Sequence, residues 1–396
     1  MTKENTDRIV SLDVLRGLVM VIMALDHVRD FIHYGTYFVD PANLATTHPA
    51  LFFTRWITHF CAPVFVFLAG TSAFLYGVRQ QSKKNLSRFL LTRGIWLIFV
   101  ELAIVNLGIS FDIHYSIHFL QVIWAIGISL ICLSAFVWLP RQALIVIGLV
   151  IIAGHNLLDG LAFPAGSPQA VIWGLLHQQQ FFPISADSAV LVIYPVLPWI
   201  GLMILGYVFG TLYAPGYDAG KRKALLWKMG LASVALFVAL RTFNLYGEPR
   251  PWAPQSDPAY SVISFFNVSK YPPSLMYLLM TIGPALLFLY WADNRFRRPQ
   301  HFFAIFGRVP FFYYIIHFYV VHVMGVLGVV YAGRPWTDMI LSAGNFTQPK
   351  LPPDYGYNLF VTYAVWLFVI AVMYPLCRWY DGYKRAHRDQ WWLSYL

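Results

Sequence analysis

Residues 11–30 read SLDVLRGLVMVIMALDHVRD, an apolar run from Gly17 to Leu25 with ionisable groups gathered at both ends. About 20 mainly apolar residues are enough to span a bilayer as a helix, so this stretch is read as a first membrane span over 11–33. Ionisable groups inside a span cost about 2.5–3.5 kcal/mol or more each and normally face protein or a water-filled cavity. Arg16 and His27 are eleven residues apart. At 100° per residue that is about three full turns, which puts both on one face, roughly 16 Å apart along the axis. Asp13 stands one turn from Arg16, and Asp30 one turn from His27, where each can pair.

The rest of the chain repeats the pattern. Of 396 residues, 58% are hydrophobic and only 12% charged, about half the charged share of a soluble domain. Nine further apolar runs follow, at roughly 50–78, 87–108, 118–139, 141–160, 189–213, 222–244, 272–292, 301–331 and 358–380. The segment Val171–Leu176 is too short to span and reads as an interfacial helix, and Arg308 with Pro310 predicts a break near the start of the ninth run. The expectation is an all-α, polytopic membrane bundle of about ten transmembrane helices, forming one domain over residues 1–396.

Basic residues orient the bundle. With the N-terminus in the cytoplasm, the inner segments carry 17 Lys and Arg, among them Lys3, Arg8, Arg297, Arg298 and Arg388. The outer loops carry four: Arg250, Lys270, Arg334 and Lys350. This is the positive-inside pattern with both termini cytoplasmic, and it accounts for the net charge of +10 without a nucleic-acid partner. Cys61, Cys132 and Cys377 each lie in an apolar run and offer neither a disulfide framework nor a metal spacing. No metal is expected.

The same orientation sorts the polar residues. His27, His33, His59, His114, His118, His155, His317 and His322 fall toward the outer side, with Glu101 about two thirds of the way outward. These groups accept and donate protons near neutrality. Arg16, Arg93 and Arg308 fall in the inner half, where they either snorkel or hold the phosphates of a cytoplasmic donor.

The arginine, ten residues, histidine arrangement of Ser11–His27 resembles the signature of acyltransferase-3 type membrane enzymes. His59-Phe60-Cys61-Ala62-Pro63-Val64-Phe65-Val66-Phe67-Leu68-Ala69-Gly70-Thr71-Ser72 looks more specifically like the bacterial relatives of heparan-α-glucosaminide N-acetyltransferase, a family with a YeiB-like core. Leu120–Gly127 and Phe306–Tyr314 fit it as well, so the resemblance runs from about 8 to 325. It implies an acyl group, acetyl by family, passed from cytoplasmic acyl-CoA to a sugar or amino-sugar acceptor beyond the bilayer, in a multi-pass protein of a bacterial inner membrane. Arg16 and His27 match the family's arginine and histidine. The lysosomal enzymes depend on a histidine just after the first span, and His48 is the nearest candidate here.

Acyl transfer needs a base for the acceptor proton and groups that hold the thioester and its oxyanion. His27 is the expected base, with Asp30 favoured by spacing or Glu101 by depth as its orienting carboxylate. Arg16 would position the donor, with Arg93 and Arg308 as further phosphate contacts. His59, His118 and His317 are candidates for the acceptor side. The alternative is a proton-coupled small-molecule transporter, against which no internal repeat and no matching discontinuous spans are evident; a non-catalytic scaffold is the third possibility.

Overall fold

The computed structural model describes residues 9–34, 40–293, 295, 301–387 and 389–394. Lys3, Arg8, Arg297, Arg298 and Arg388 lie outside the described residues. The helices that concern us are α1 (Val10–Ile32), α2 (Pro49–Gln80), α3 (Lys83–Ser110), α4 (Val122–Phe136), α5 (Arg141–Leu158), α6 (Pro168–Leu176), α7 (Leu197–Tyr213), α8 (Ala219–Thr242), α9 (Pro258–Phe266), α10 (Leu275–Ala292), α11 (Phe302–Arg308), α12 (Pro310–Tyr331) and α13 (Leu359–Ala386).

Seven of these, α2, α3, α5, α8, α10, α12 and α13, are long and apolar enough to cross a membrane. Helix α1 has the length, 23 residues, but carries Asp13, Arg16, Asp26, Arg29 and Asp30. Helices α4 and α7 are apolar but shorter than a full crossing. These ten coincide with the ten expected spans. Helix α10 sits inside the bundle, whereas α5, α8 and α13 lie at its edge. On α8, Leu225, Trp227, Leu231, Leu236 and Val238 are exposed, as a lipid-facing surface requires. Helix α6 is the short helix expected near Val171, and the break near Arg308 falls at Val309, between α11 and α12.

Two expected spans start later than the sequence suggested. Residues 117–120 and 188–192 are strands, β1 (Ile117–Leu120) and β3 (Ser188–Val192), which pair in parallel; β2 (Gln180–Ser185) adds to β3 antiparallel. Each short span therefore follows directly on a strand, β1 before α4 and β3 before α7. Non-helical backbone at membrane depth is tolerated only where protein buries it or it lines a cavity. Here Gln121 and Val122 after β1, and Ile193 and Tyr194 after β3, line a cavity. The strands escaped the hydropathy reading because apolar strand residues and apolar helix residues read alike in a hydropathy window.

Candidate functional site

Two glycine contacts set the frame. A Cβ on Gly17 would stand 1.7 Å from the Phe303 carbonyl oxygen, and one on Gly307 1.9 Å from the Asp13 carbonyl oxygen. Helices α1 and α11 thus cross backbone against backbone, as small residues permit in membranes. That crossing delivers the Arg16 guanidinium, next to Gly17, to the Gly307 carbonyl (3.0 Å), Ser72 Oγ (3.0 Å) and Asp13 Oδ1 (3.2 Å). The pairing of Arg16 with Asp13 is the one expected from their spacing.

Arg16 and Ser72 line a cavity of about 320 Å³ between α1, α2, α3, α4 and α12. Its walls are otherwise largely apolar, with Tyr76, Phe89, Ile126 and Tyr314 among them, and Arg93 is the second arginine on its surface. The Arg93 guanidinium stands 5.9 Å from the Phe311 ring centroid.

A second cavity, of about 290 Å³, lies one turn-stack further along α1 and shares Phe65 and Val122 with the first. His27 is on its wall, half-buried, with its ring 4.2 Å from Phe318 and 5.2 Å from His317. The remaining polar wall is a charge cluster. Asp26 accepts from Arg55 through both oxygens (2.9 and 2.7 Å), and it pairs with Arg29 at 2.9 Å and Lys270 at 3.4 Å. Arg29 also holds Asp30 at 2.5 Å. Three cations against two carboxylates leave this wall positive, beside an imidazole. The Lys270 ammonium stands 5.2 Å from the Tyr271 ring, and Tyr271 and Tyr194, with ring centroids 5.2 Å apart, continue the wall beside the cluster. Cys61 lines the same cavity but donates its thiol to the Val19 carbonyl.

Several expected residues are placed elsewhere. Asp30 does not orient His27, because Arg29 binds its carboxylate instead. Glu101 is fully buried and accepts from the amides of Gln121 (3.3 Å) and Trp124 (3.1 Å), capping the N-terminus of α4; a turn of π-helix at Glu101–Val105 turns it there. A carboxylate at a helix N-terminus is favoured by the unpaired N–H groups and the dipole, so Glu101 secures the short span and leaves His27 alone. His48 is exposed, and its Nδ1 accepts from the Leu51 amide as the N-cap of α2. Arg308 is buried against Asp381 (2.6 and 2.9 Å), which ties the α11–α12 break to α13 and removes it from the inner cavity.

His59, His118 and His317 stand behind or beside the cavity wall. His59 is buried, its ring 5.3 Å from Tyr277. His118 is on β1, stacked at 6.1 Å on Tyr115. His317 is fully buried, its Nδ1 donating to the Tyr314 carbonyl at 2.5 Å, with Nε2 buried and unpartnered. The sequence reading passed over Asp26, Arg55, Lys270 and Tyr271. A carboxylate adjacent to His27 and an arginine inside an apolar run were the available signals.

The model for the catalytic domain of heparan-alpha-glucosaminide N-acetyltransferase matches residues 8–246, more than half of the chain. The protein belongs to this family. The matched segment runs from α1 to the end of α8 and so carries Arg16, His27, Arg55 and Arg93, while Lys270, Tyr271 and Tyr314 come from beyond it. No curated protein matches the chain significantly. The family establishes a transferase of the acetyltransferase type in an integral membrane bundle.

Proposed function

We propose that the protein moves an acetyl group from acetyl-CoA, held in the cavity of Arg16 and Arg93, to a sugar or amino-sugar acceptor in the cavity of His27. The observation that carries this reading is that the two cavities share Phe65 and Val122 and place Arg16 and His27 on opposite sides of that partition. Family membership supplies the acetyl chemistry, and the loop charges supply the direction, from the cytoplasm outward across a bacterial inner membrane.

In this mechanism His27 takes the proton from the acceptor hydroxyl or amine as its oxygen or nitrogen attacks the acetyl carbonyl carbon. The carbon–sulfur bond breaks, CoA leaves as the thiolate, and the protonated imidazole returns the proton to sulfur. The oxyanion formed on the carbonyl is favoured by the net positive wall of Arg29, Arg55 and Lys270. Arg16, fixed by Gly307, Ser72 and Asp13, positions the donor. Phe65 and Val122, which line both cavities, mark where the thioester would meet the acceptor.

The test is a proteoliposome assay with labelled acetyl-CoA on one side and a panel of glycans and amino sugars on the other. Label should reach an acceptor on the far side and depend on His27. Folded, acetyl-CoA-binding protein that labels no member of the panel, or labels only acceptors on the donor side, would overturn the route.

A further inference from the structure

We propose that His155, Asp159 and His177 form a binding site for a divalent ion of the zinc class, separate from both transfer cavities. Each residue offers one ligand atom, and the three atoms lie within 4.8 Å of one another. A tetrahedral zinc site with bonds of about 2.0–2.1 Å sets its ligand atoms roughly 3.4 Å apart, so small side-chain rotations close this group on an ion. His177 Nε2 is already 2.9 Å from Asp159 Oδ1.

The second observation is that the imidazoles are buried without partners. His155 is 2% exposed and His177 3% exposed. Neither ring nitrogen of His155 has a hydrogen-bond partner, nor does Nδ1 of His177. A buried polar atom left unsatisfied costs about 1–3 kcal/mol, and three of them lie on two rings that meet edge to face with centroids 5.3 Å apart. Neutral imidazole is the commonest ligand of transition-metal ions, and two imidazoles with one carboxylate suit zinc.

The surroundings complete the site. Asn156 Nδ2 donates to the second Asp159 oxygen at 2.8 Å, while the Leu275 amide donates to Asn156 Oδ1 at 2.9 Å and fixes which way that amide points. A ligating carboxylate held in this way by an outer partner is the usual support of a metal site. Asp159 and Asn156 also line a cavity of about 250 Å³ closed by the Arg241–Pro251 segment, which gives a fourth coordination position access to solvent. Glu248 lines that cavity too, but Ser269 and Ser274 bind its carboxylate and remove it from the ligand set. A bound ion would join the end of α5 to the end of α6 and, through Asn156, to the start of α10. The chain leaving His177 forms β2 and β3 and then delivers Ile193 and Tyr194 to the His27 cavity.

The experiment titrates ZnCl2 into full-length, detergent-solubilised protein previously stripped with chelator, followed by calorimetry and by elemental analysis. Co²⁺ serves as the spectroscopic probe. Wild type should take up one ion per chain and show visible Co²⁺ bands, both lost in the His155→Ala/His177→Ala variant. Asn156→Ala leaves the ligands in place and should weaken Zn²⁺ binding about 10–100-fold. Asp159→Asn, nearly isosteric, should weaken it at least as much and covers the case in which the double variant does not fold. Zn²⁺ uptake equal in wild type, Asp159→Asn and Asn156→Ala, or no stoichiometric uptake by wild type, overturns the site.

Discussion

The two cavities share a partition but are built on opposite principles. The Arg16 cavity is an apolar pocket with two cations at its wall, and Arg16 is held by a carbonyl, a hydroxyl and one carboxylate. The His27 cavity is walled by five interlocked charges, three cations against two carboxylates, with Asp26 at their centre. The difference matches the division of labour proposed above. An apolar pocket with two cations suits the donor in that route, and a polar chamber with an imidazole on its wall suits the acceptor. Changes in the first should therefore appear as donor affinity, and changes in the second as chemistry or folding.

The largest expected effect separates the halves most cleanly. His27→Ala should reduce acetyl transfer about 10²–10⁴-fold, the usual contribution of a positioned general base, while acetyl-CoA binding measured by calorimetry stays unchanged. Transfer at the wild-type rate would remove His27 from the mechanism, and lost donor binding would mean that the two cavities are not independent. Next comes Asp26→Asn, which keeps the shape but leaves Arg29, Arg55 and Lys270 with Asp30 as their one remaining carboxylate in this cluster. Breaking a buried ion-pair network by removing one partner costs about 3–5 kcal/mol, so the variant should unfold at a clearly lower temperature in detergent. An unchanged melting temperature would show that the cluster is solvated and carries little of the fold.

Arg16→Ala should act on the other half. Losing hydrogen bonds to a charged group is worth about 1.5–3 kcal/mol, roughly 10–100-fold, and the loss should fall on KM for acetyl-CoA with kcat nearly preserved. Arg16→Lys should recover part of it, because a lysine restores the charge without the planar fork. A drop in kcat at constant KM would instead move Arg16 to the reacting atoms.

The comparison also explains what the sequence could disclose. The helices of the bundle were legible because hydrophobic length is a one-dimensional property, seven of them being long and apolar enough to cross a membrane, and the break at Val309 because Pro310 announces it. The shared face of Arg16 and His27 was legible from helical geometry alone, as was the Arg16–Asp13 pair. The partners that decide the outer chamber were not. Arg55 and Lys270 reach Asp26 from 29 and 244 residues away, and no local spacing encodes such meetings. Asp30 and Glu101 were reasonable partners for His27 by turn and by depth, yet each had a stronger claimant: the adjacent guanidinium of Arg29 and the open N-terminus of α4. Strands β1 and β3 were hidden because their apolar residues merge with the helices that follow.

The smallest effect probes the approach to the His27 cavity, where Asp112 holds the turn that leads into β1. Its carboxylate accepts from the Ser116 amide (2.9 Å), the Ser116 hydroxyl (2.5 Å) and the His114 amide (3.0 Å). Ser116 in turn accepts from the Ala343 and Ala189 amides, so the turn anchors β1 to β3 and to the segment after α12. Partial burial pushes the Asp112 carboxyl up, but the hydrogen bonds from Ser116 and His114 outweigh it and hold the group below its ordinary range. A carboxylate whose folded pKa is depressed contributes stability that is present above its unfolded value, about 3.9, and is lost as pH falls through the lower folded value. Wild type should therefore lose stability on the acid side of pH 4, and Asp112→Asn should show a shallower loss over the same window. Near neutral pH the variant should be less stable by about 0.5–1.5 kcal/mol for each hydrogen bond weakened. Because the turn leads through β1 to Gln121 on the His27 cavity and to Val122 on the shared partition, loosening it should affect transfer before it affects donor binding. Parallel acid profiles for the two proteins would show that the turn is held by the surrounding strands and not by this carboxylate.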